Sequence, residues 1–208
     1  MTDQRSTIDP SKIDFAKGGG LVPAIIQDAC TEQVLMLGYM NAESLVKTQD
    51  TGFVTFYSRS RNALWTKGEI SGNTLALKSI TLDCDGDTLL VRAIPNGPTC
   101  HEGTVSCFGD NGPDGIGFLS YLESLINGRK DSAPEESYTA KLLQGPLHRA
   151  AQKVGEEGVE TALAAVAESD DKLTGEAADL MYHLLVLLAA KDVKFDSVIA
   201  ELRKRHSA

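Results

Sequence analysis

The rhythm of apolar and polar positions changes once along this chain, near residue 128. Before that point the apolar runs are short and punctuated by turns. LVPAIIQDA (21–29) and EQVLMLGYM (32–40) flank a polar turn and predict a hairpin. Asn41 is placed to cap a short helix over 42–49. GFVTFYSR (52–59) alternates aromatic and β-branched residues, which predicts a strand. TLALKSITLDCD (74–85) and TLLVRAIP (88–95) predict a strand pair around a Gly-Asp turn. FLSYLESLING (118–128) has helical spacing and stops on glycine. GRKDSAPEES (128–137) contains no large apolar residue and reads as a linker. Beyond it YTAKLLQG, HRAAQKVGEEGVETALAAVAES, TGEAADLMYHLLVLLAAK and DSVIAELRKRH all repeat every 3.6 residues, with Thr174 or Ser197 as a candidate cap. The pattern predicts an α+β chain: a mainly-β domain at 1–127, a linker at 128–137 and an all-α domain at 138–208. With only about 70 residues, the helical unit needs a docking partner or a second copy for a sufficient core.

Composition narrows the function. Hydrophobic content of 42% and charged content of 24% are ordinary for a globular chain. A net charge of −9 argues against general nucleic-acid binding, which needs a basic footprint. The start, MTDQRSTIDPSKIDF, lacks the apolar stretch of a secretory signal. The longest apolar run, Leu184–Ala190, is far short of the ~20 residues of a membrane span, so a cytoplasmic protein is expected. In that compartment the four cysteines are expected as thiols, with Cys30 a small buried apolar residue.

The chemistry concentrates in DCDGD (83–87) and GPTCHEGTVSCF (97–108). Asp83, Asp85 and Asp87 are hard oxygen donors. On a strand they share one face, where three carboxylates repel unless a divalent cation neutralises them, and Gly86-Asp87 bends the chain toward convergence. Cys84, Cys100 and Cys107 are soft thiolates that suit zinc. Three thiolates leave a position for water, which favours a catalytic site. His101 is either the proton-handling base, the favoured reading, or a fourth ligand that would close a structural site. SRSRNALWTKGEISGN (58–73) adds a local basic cluster beside glycines, suited to phosphate oxygens. Its candidate substrate-binding residues are Arg59, Arg61, Trp65, Lys67, Ser71, Gly72 and Asn73, with Trp65 either stacking on a base or filling the core.

These motifs, with LVPAIIQD, VLMLGYMN and TFYSRSR, resemble phosphoribosyl-AMP cyclohydrolase of histidine biosynthesis over roughly residues 15–115. The resemblance implies hydrolytic opening of an N1-substituted adenine ring by zinc-activated water. It implies Zn²⁺ on Cys84, Cys100 and Cys107, contributed by two subunits of a homodimer. It further implies Mg²⁺ on Asp83, Asp85 and Asp87, and His101 as general base.

The helical half carries a second acidic pattern. Glu157 and Glu160 lie at i, i+3 with Glu156 beside them, and Glu176 and Asp179 repeat the spacing on the next helix. Facing each other, these edges form a Mg²⁺ cage for a di- or triphosphate, with Lys153 one turn away to neutralise a phosphate. His183, one turn past Asp179, reads as a packed helix residue. KVGEEGVE…EAADLMYH is similar to phosphoribosyl-ATP pyrophosphohydrolase, of the all-α NTP pyrophosphatase superfamily, over about 138–190. That implies Mg²⁺ on Glu157, Glu160, Glu176 and Asp179, with Glu156 supporting them or activating water. Gly158 is unusual, since a glycine inside a helix costs up to ~1 kcal/mol relative to alanine. Together the two resemblances imply a bifunctional, nucleotide-binding hydrolase acting on phosphoribosyl-ATP and then phosphoribosyl-AMP. The alternative is a general nucleotide-sanitising pyrophosphatase fused to a structural zinc module.

Overall fold

The computed structural model describes residues 7–109 and 112–206; the first six residues of the polar N-terminal stretch lie outside it, as do 110–111 and 207–208. The chain divides into two compact units, Met1–Phe118 and Leu119–Ala208. The expected α+β architecture is observed, strand-rich first and helical afterwards.

In the first unit, β1 (Val22–Asp28) and β2 (Val34–Met40) form the anticipated antiparallel hairpin. Val22, Ala24 and Ile26 alternate into the core because every second side chain of a strand shares a face. β5 (Leu75–Leu82) and β6 (Leu89–Pro95) pair antiparallel, as expected. The sheet order is β2-β1-β6-β5, joined by a parallel β1–β6 pairing that the local pattern did not reveal. α1 (Ala42–Thr51) starts at Asn41: the Ser44 N–H donates to Asn41 Oδ1, and the Asn41 N–H donates to Ser44 Oγ. Gly52, in the left-handed region at φ 77°, ends it. β3 (Thr55–Ser58) was expected, whereas its partner β4 (Ala63–Thr66) was hidden within the basic cluster.

Cys30 is exposed rather than buried. It sits in the turn after β1, where its N–H donates to Asp28 Oδ1 at 2.7 Å.

In the second unit, α2 (Gly117–Gly128) contributes Ile126 to a core with Leu185, Val186 and Ala189, and packs Leu119 and Leu122 against it. The division at Phe118/Leu119 therefore falls in the first turn of α2, because its apolar stripe is buried with the helices that follow. Of residues 128–137, read as a linker, Gly128 ends α2 and 129–137 contain no helix or strand, but Gln144 Nε2 donates to the carbonyls of Lys130 and Ser132. α3 (Tyr138–Gln144), α4 (Leu147–Ala167), α5 (Asp170–Ala190) and α6 (Phe195–His206) complete the unit. The cap of α5 is Ser169, not Thr174, because the acidic pair Asp170-Asp171 already favours a helix N-terminus. Ser197 lies inside α6 rather than at its cap.

Among the described residues, α5 is the one helix long and apolar enough to cross a membrane by length and composition, although its longest unbroken apolar run is short. It also carries Glu176 and Asp179 and buries Leu185, Val186 and Ala189 against its neighbours, as the central helix of a bundle does.

Two glycines make opposite predictions. A Cβ on Gly38 of β2 would lie 2.3 Å from the ring of Phe56, itself buried against Trp65. Gly38→Ala should destabilise the first unit by ~1–3 kcal/mol, measured by denaturation followed through Trp65, the only tryptophan. A Cβ on Gly158 would meet only Leu180 Cδ1, at 4.0 Å. Gly158→Ala should stabilise the helical unit by up to ~1 kcal/mol, read by circular dichroism.

Candidate active sites

The three aspartates converge through a turn, not through strand alternation as expected. β5 ends at Leu82, and Asp83 closes the loop to β6: its Oδ1 accepts from the N–H groups of Gly86, Asp87 and Thr88 at 3.1, 3.0 and 3.1 Å. Gly86, at φ 82°, supplies the left-handed bend. Ligand oxygens of Asp83, Asp85 and Asp87 come within 4.8 Å of one another. A lysine that sequence reasoning missed enters this cluster. Lys17 Nζ lies 2.6 Å from Asp85 Oδ2 and 2.5 Å from Asp87 Oδ2. These two carboxylates hold its pKa far above the usual lysine value. The ammonium stands where a cation would, so the donors fit a hard divalent ion.

The cysteines separate. Cys100 and Cys107 share the loop 99–107, closed by Cys100 N–H to the Thr104 carbonyl and docked by Cys107 N–H to the Leu35 carbonyl. Their thiols hydrogen-bond to each other. The backbone N–H of Glu102 and the Thr104 hydroxyl pull the Cys100 thiol down, while burial and Cys100 push Cys107 up. Two thiols side by side, one of them lowered, form a donor pair suited to a soft cation. His101 is exposed, its Nδ1 3.8 Å from Cys100 Sγ.

Cys84 lies elsewhere. Leu35, above which Cys107 docks, opens β2, whereas the aspartate turn precedes Leu89, which pairs with Ala24 and through it with Gly38. That separates the turn from Cys107 by roughly 10 Å along the strands and roughly 10 Å across them. One chain therefore does not gather all three thiols, and Cys84 is exposed.

The basic segment is also split. Arg59 and Arg61 sit at the tip of the β3–β4 hairpin, where the Arg59 guanidinium stacks 3.9 Å over Tyr39 and Arg61 lies 6.0 Å from Trp65. Tyr39, Phe56, Arg59 and Trp65 line an open cleft of about 620 Å³. Trp65 is half-buried, so it does both things expected of it: it packs on Phe56 at 5.0 Å and walls the cleft. Lys67 is at the other end of β4, where its charge is felt by Cys107. Ser71 accepts from the Asn73 N–H, and the carbonyl of Gly72 accepts from Asn96 Nδ2, which brings this loop beside the segment leading to Cys100.

In the second unit, α4 and α5 bring ligand oxygens of Glu157, Glu176 and Asp179 within 4.8 Å of one another. Glu160 is outside that trio but faces it, since Glu157, burial and Glu176 push its pKa up. Glu157 is buried, at 5% exposure. Its Oε1 contacts Lys153 Nζ at 2.8 Å and His183 Nε2 at 3.7 Å. Glu156 accepts from Lys153 at 3.0 Å and Gln152 at 2.7 Å, and these contacts, the lysine first, hold it below the usual carboxylate range. Lys172 Nζ is 3.3 Å from Glu176. Here again a lysine neutralises buried acid, so the donor set fits a hard cation. His183 is buried as expected, but it also touches the site, and its Nδ1 has no hydrogen-bond partner. Tyr138 and Tyr182 present ring edges to it, and the Tyr182 hydroxyl is 2.7 Å from Thr139 Oγ1.

A strand-rich unit with paired thiols and an aspartate turn, followed by helices that gather three carboxylates with a fourth facing them, marks two fused domains, each with a donor set suited to metal-assisted hydrolysis. Residues 36–109 match the phosphoribosyl-AMP cyclohydrolase family, and residues 119–206 match the phosphoribosyl-ATP pyrophosphohydrolase family. The histidine biosynthesis bifunctional protein HisIE of Escherichia coli (strain K12) is 57% identical over 195 residues, covering 94% of this chain and 96% of that protein. Its counterpart in Xanthomonas axonopodis pv. citri (strain 306) is 54% identical over 207 residues, covering 99% and 98%. The chain belongs to the family of HisIE bifunctional histidine-biosynthesis proteins.

Burial pushes the His183 pKa below the free value of 6.5. The unfolded chain therefore takes up a proton that the folded one resists, and stability of the helical unit should fall as pH drops through 6.5. His183→Asn should flatten that slope in denaturation midpoints collected between pH 7.5 and 5.

Proposed function

We propose that this chain hydrolyses phosphoribosyl-ATP to phosphoribosyl-AMP and pyrophosphate on its helical unit, and opens the adenine ring of phosphoribosyl-AMP on its strand-rich unit. The observation that carries this reading is the coexistence of two chemically distinct donor sets, one in each matched segment. The general pyrophosphatase with a structural zinc module is the weaker reading, because Cys100 and Cys107 adjoin the charge of Lys67 and an exposed histidine in contact with Cys100.

On the helices, Glu157, Glu160, Glu176 and Asp179 are the Mg²⁺ ligands. Lys153 is positioned to turn from Glu157 to a phosphate oxygen. The contacts of Glu156 with Lys153 and Gln152 suit a supporting role better than water activation. On the strand-rich unit, Asp83, Asp85 and Asp87 hold Mg²⁺, and Cys84, Cys100 and Cys107 hold Zn²⁺. When bound, zinc supplies water activation near neutral pH and magnesium supplies charge neutralisation at phosphates. The water oxygen adds to the ring carbon beside N1, that carbon–N1 bond breaks, and N1 leaves with a proton. His101, exposed beside Cys100, takes the water proton and returns one to N1. Arg59, Arg61, Trp65, Lys67, Ser71, Gly72 and Asn73 receive the nucleotide, the arginines and the lysine reaching phosphates at opposite ends of β4. The adenine ring is then held between them.

The separation of Cys84 from Cys107 supports a homodimer in which each zinc site takes Cys84 from one copy and Cys100 and Cys107 from the other. We assign the enzyme to the cytoplasm, where thiol ligands stay reduced.

Site-specific variants separate the two activities. Glu157→Gln should cut pyrophosphate release by about 10²-fold or more. Cys107→Ser should leave pyrophosphate release intact and let phosphoribosyl-AMP accumulate. Subunit mixing tests the shared zinc site. Cys84→Ser and Cys107→Ser chains, each inactive in ring opening, should regain about a quarter of wild-type activity when unfolded and refolded together, because half the dimers are mixed and each has one intact site. No recovery in dimers shown to be mixed would contradict sharing.

A further inference from the structure

We propose that Lys17 is a resident competitor for the cation of the aspartate turn: its ammonium fills the space between Asp85 and Asp87 when no ion is bound, and a divalent ion binds only by expelling it. This rests on reading the aspartates as a cation site. The lysine is delivered there by the fold. Asp14 N–H donates to the Gly86 carbonyl at 2.7 Å, which ties the segment before β1 to the turn. The Lys17 N–H donates to Asp14 Oδ1 at 3.1 Å, and buried Ile13 with Phe15 anchors the segment on the core. The two contacts of Nζ, at 2.6 and 2.5 Å, place one positive charge between two carboxylates.

Lys17 is not what shapes the turn. Asp83 Oδ1 already collects three backbone N–H groups, and Gly86 supplies the bend, both without the lysine. The Lys17 and Asp85 side chains are 49% and 60% exposed, so the lysine can leave into water without breaking the core. An ammonium satisfies two carboxylates at low entropy cost because it is tethered. A divalent ion brings twice the charge and can also engage Asp83. The device sets a threshold: the turn is never left as three bare carboxylates, and metal loads only above a concentration that outcompetes the tether. Lys153 stands in the same relation to Glu156 and Glu157 in the helical unit, which shows that the arrangement is not peculiar to one loop.

Mn²⁺ titration followed by electron paramagnetic resonance tests this on the full-length chain after chelation. Asp85→Asn identifies which Mn²⁺ belongs to the turn by weakening it. Lys17→Met should bind that same Mn²⁺ about tenfold more tightly than the wild type, since a positive charge beside a divalent ion is removed. Lys17→Arg, which keeps the charge and the reach, should bind no more tightly than the wild type. If Asp85→Asn changes nothing, the cation-site reading itself falls. If Asp85→Asn weakens binding but Lys17→Met binds equally or less tightly, the site stands and the competitor role falls.

Discussion

Carboxylates held within a few ångströms of one another repel, and this constraint governs both functional regions of the chain. The repulsion is tolerable only where a positive charge enters the cluster. In each unit that charge is a lysine: Lys17 between Asp85 and Asp87, and Lys153 against Glu156 and Glu157. Secondary structure does the work of forcing the acids together. A glycine bend and three backbone N–H groups do it at the aspartate turn. The packing of α4 on α5 does it in the helical unit, where burial of Glu157 sharpens the need for neutralisation.

The soft donors obey a different geometry. Cys100 and Cys107 are neighbours because a tight loop returns the chain to the start of β2. Cys84 belongs to a turn beyond the other end of the sheet, since β1 runs parallel to β6 and antiparallel to β2. The sheet topology thus separates the thiols within a chain, and this separation is what the proposed sharing between two copies would resolve. The separate β3–β4 hairpin places arginines and a lysine at opposite ends of β4, the separation on which the proposed nucleotide site relies.

Much of this was legible in the sequence. The alternation of Val22, Ala24 and Ile26 fixed the strand face, Asn41 announced α1, and the spacing of Glu157 with Glu160 and of Glu176 with Asp179 put acids on facing edges. Four features were not legible, each for a physical reason. Lys17 lies 68 residues before Asp85 and meets it only through the tertiary fold. The β1–β6 pairing is parallel and long-range, so no turn signal marks it. His183 has the periodicity of a core residue and is one; its contact with the acidic cluster depends on Glu157 arriving from another helix. α2 was grouped with the strands by proximity in sequence, whereas its apolar stripe is buried with the helices.

The most direct test follows phosphoribosyl-ATP through the wild-type chain in ¹⁸O-labelled water with Mg²⁺ and Zn²⁺, reading products by mass spectrometry. The account predicts free pyrophosphate and a ring-opened product that carries a solvent oxygen on the carbon released from N1. Phosphoribosyl-AMP that accumulates with its ring closed, in metal-replete protein, would contradict the assignment of the cysteine and aspartate site. Unchanged phosphoribosyl-ATP would contradict the account of both.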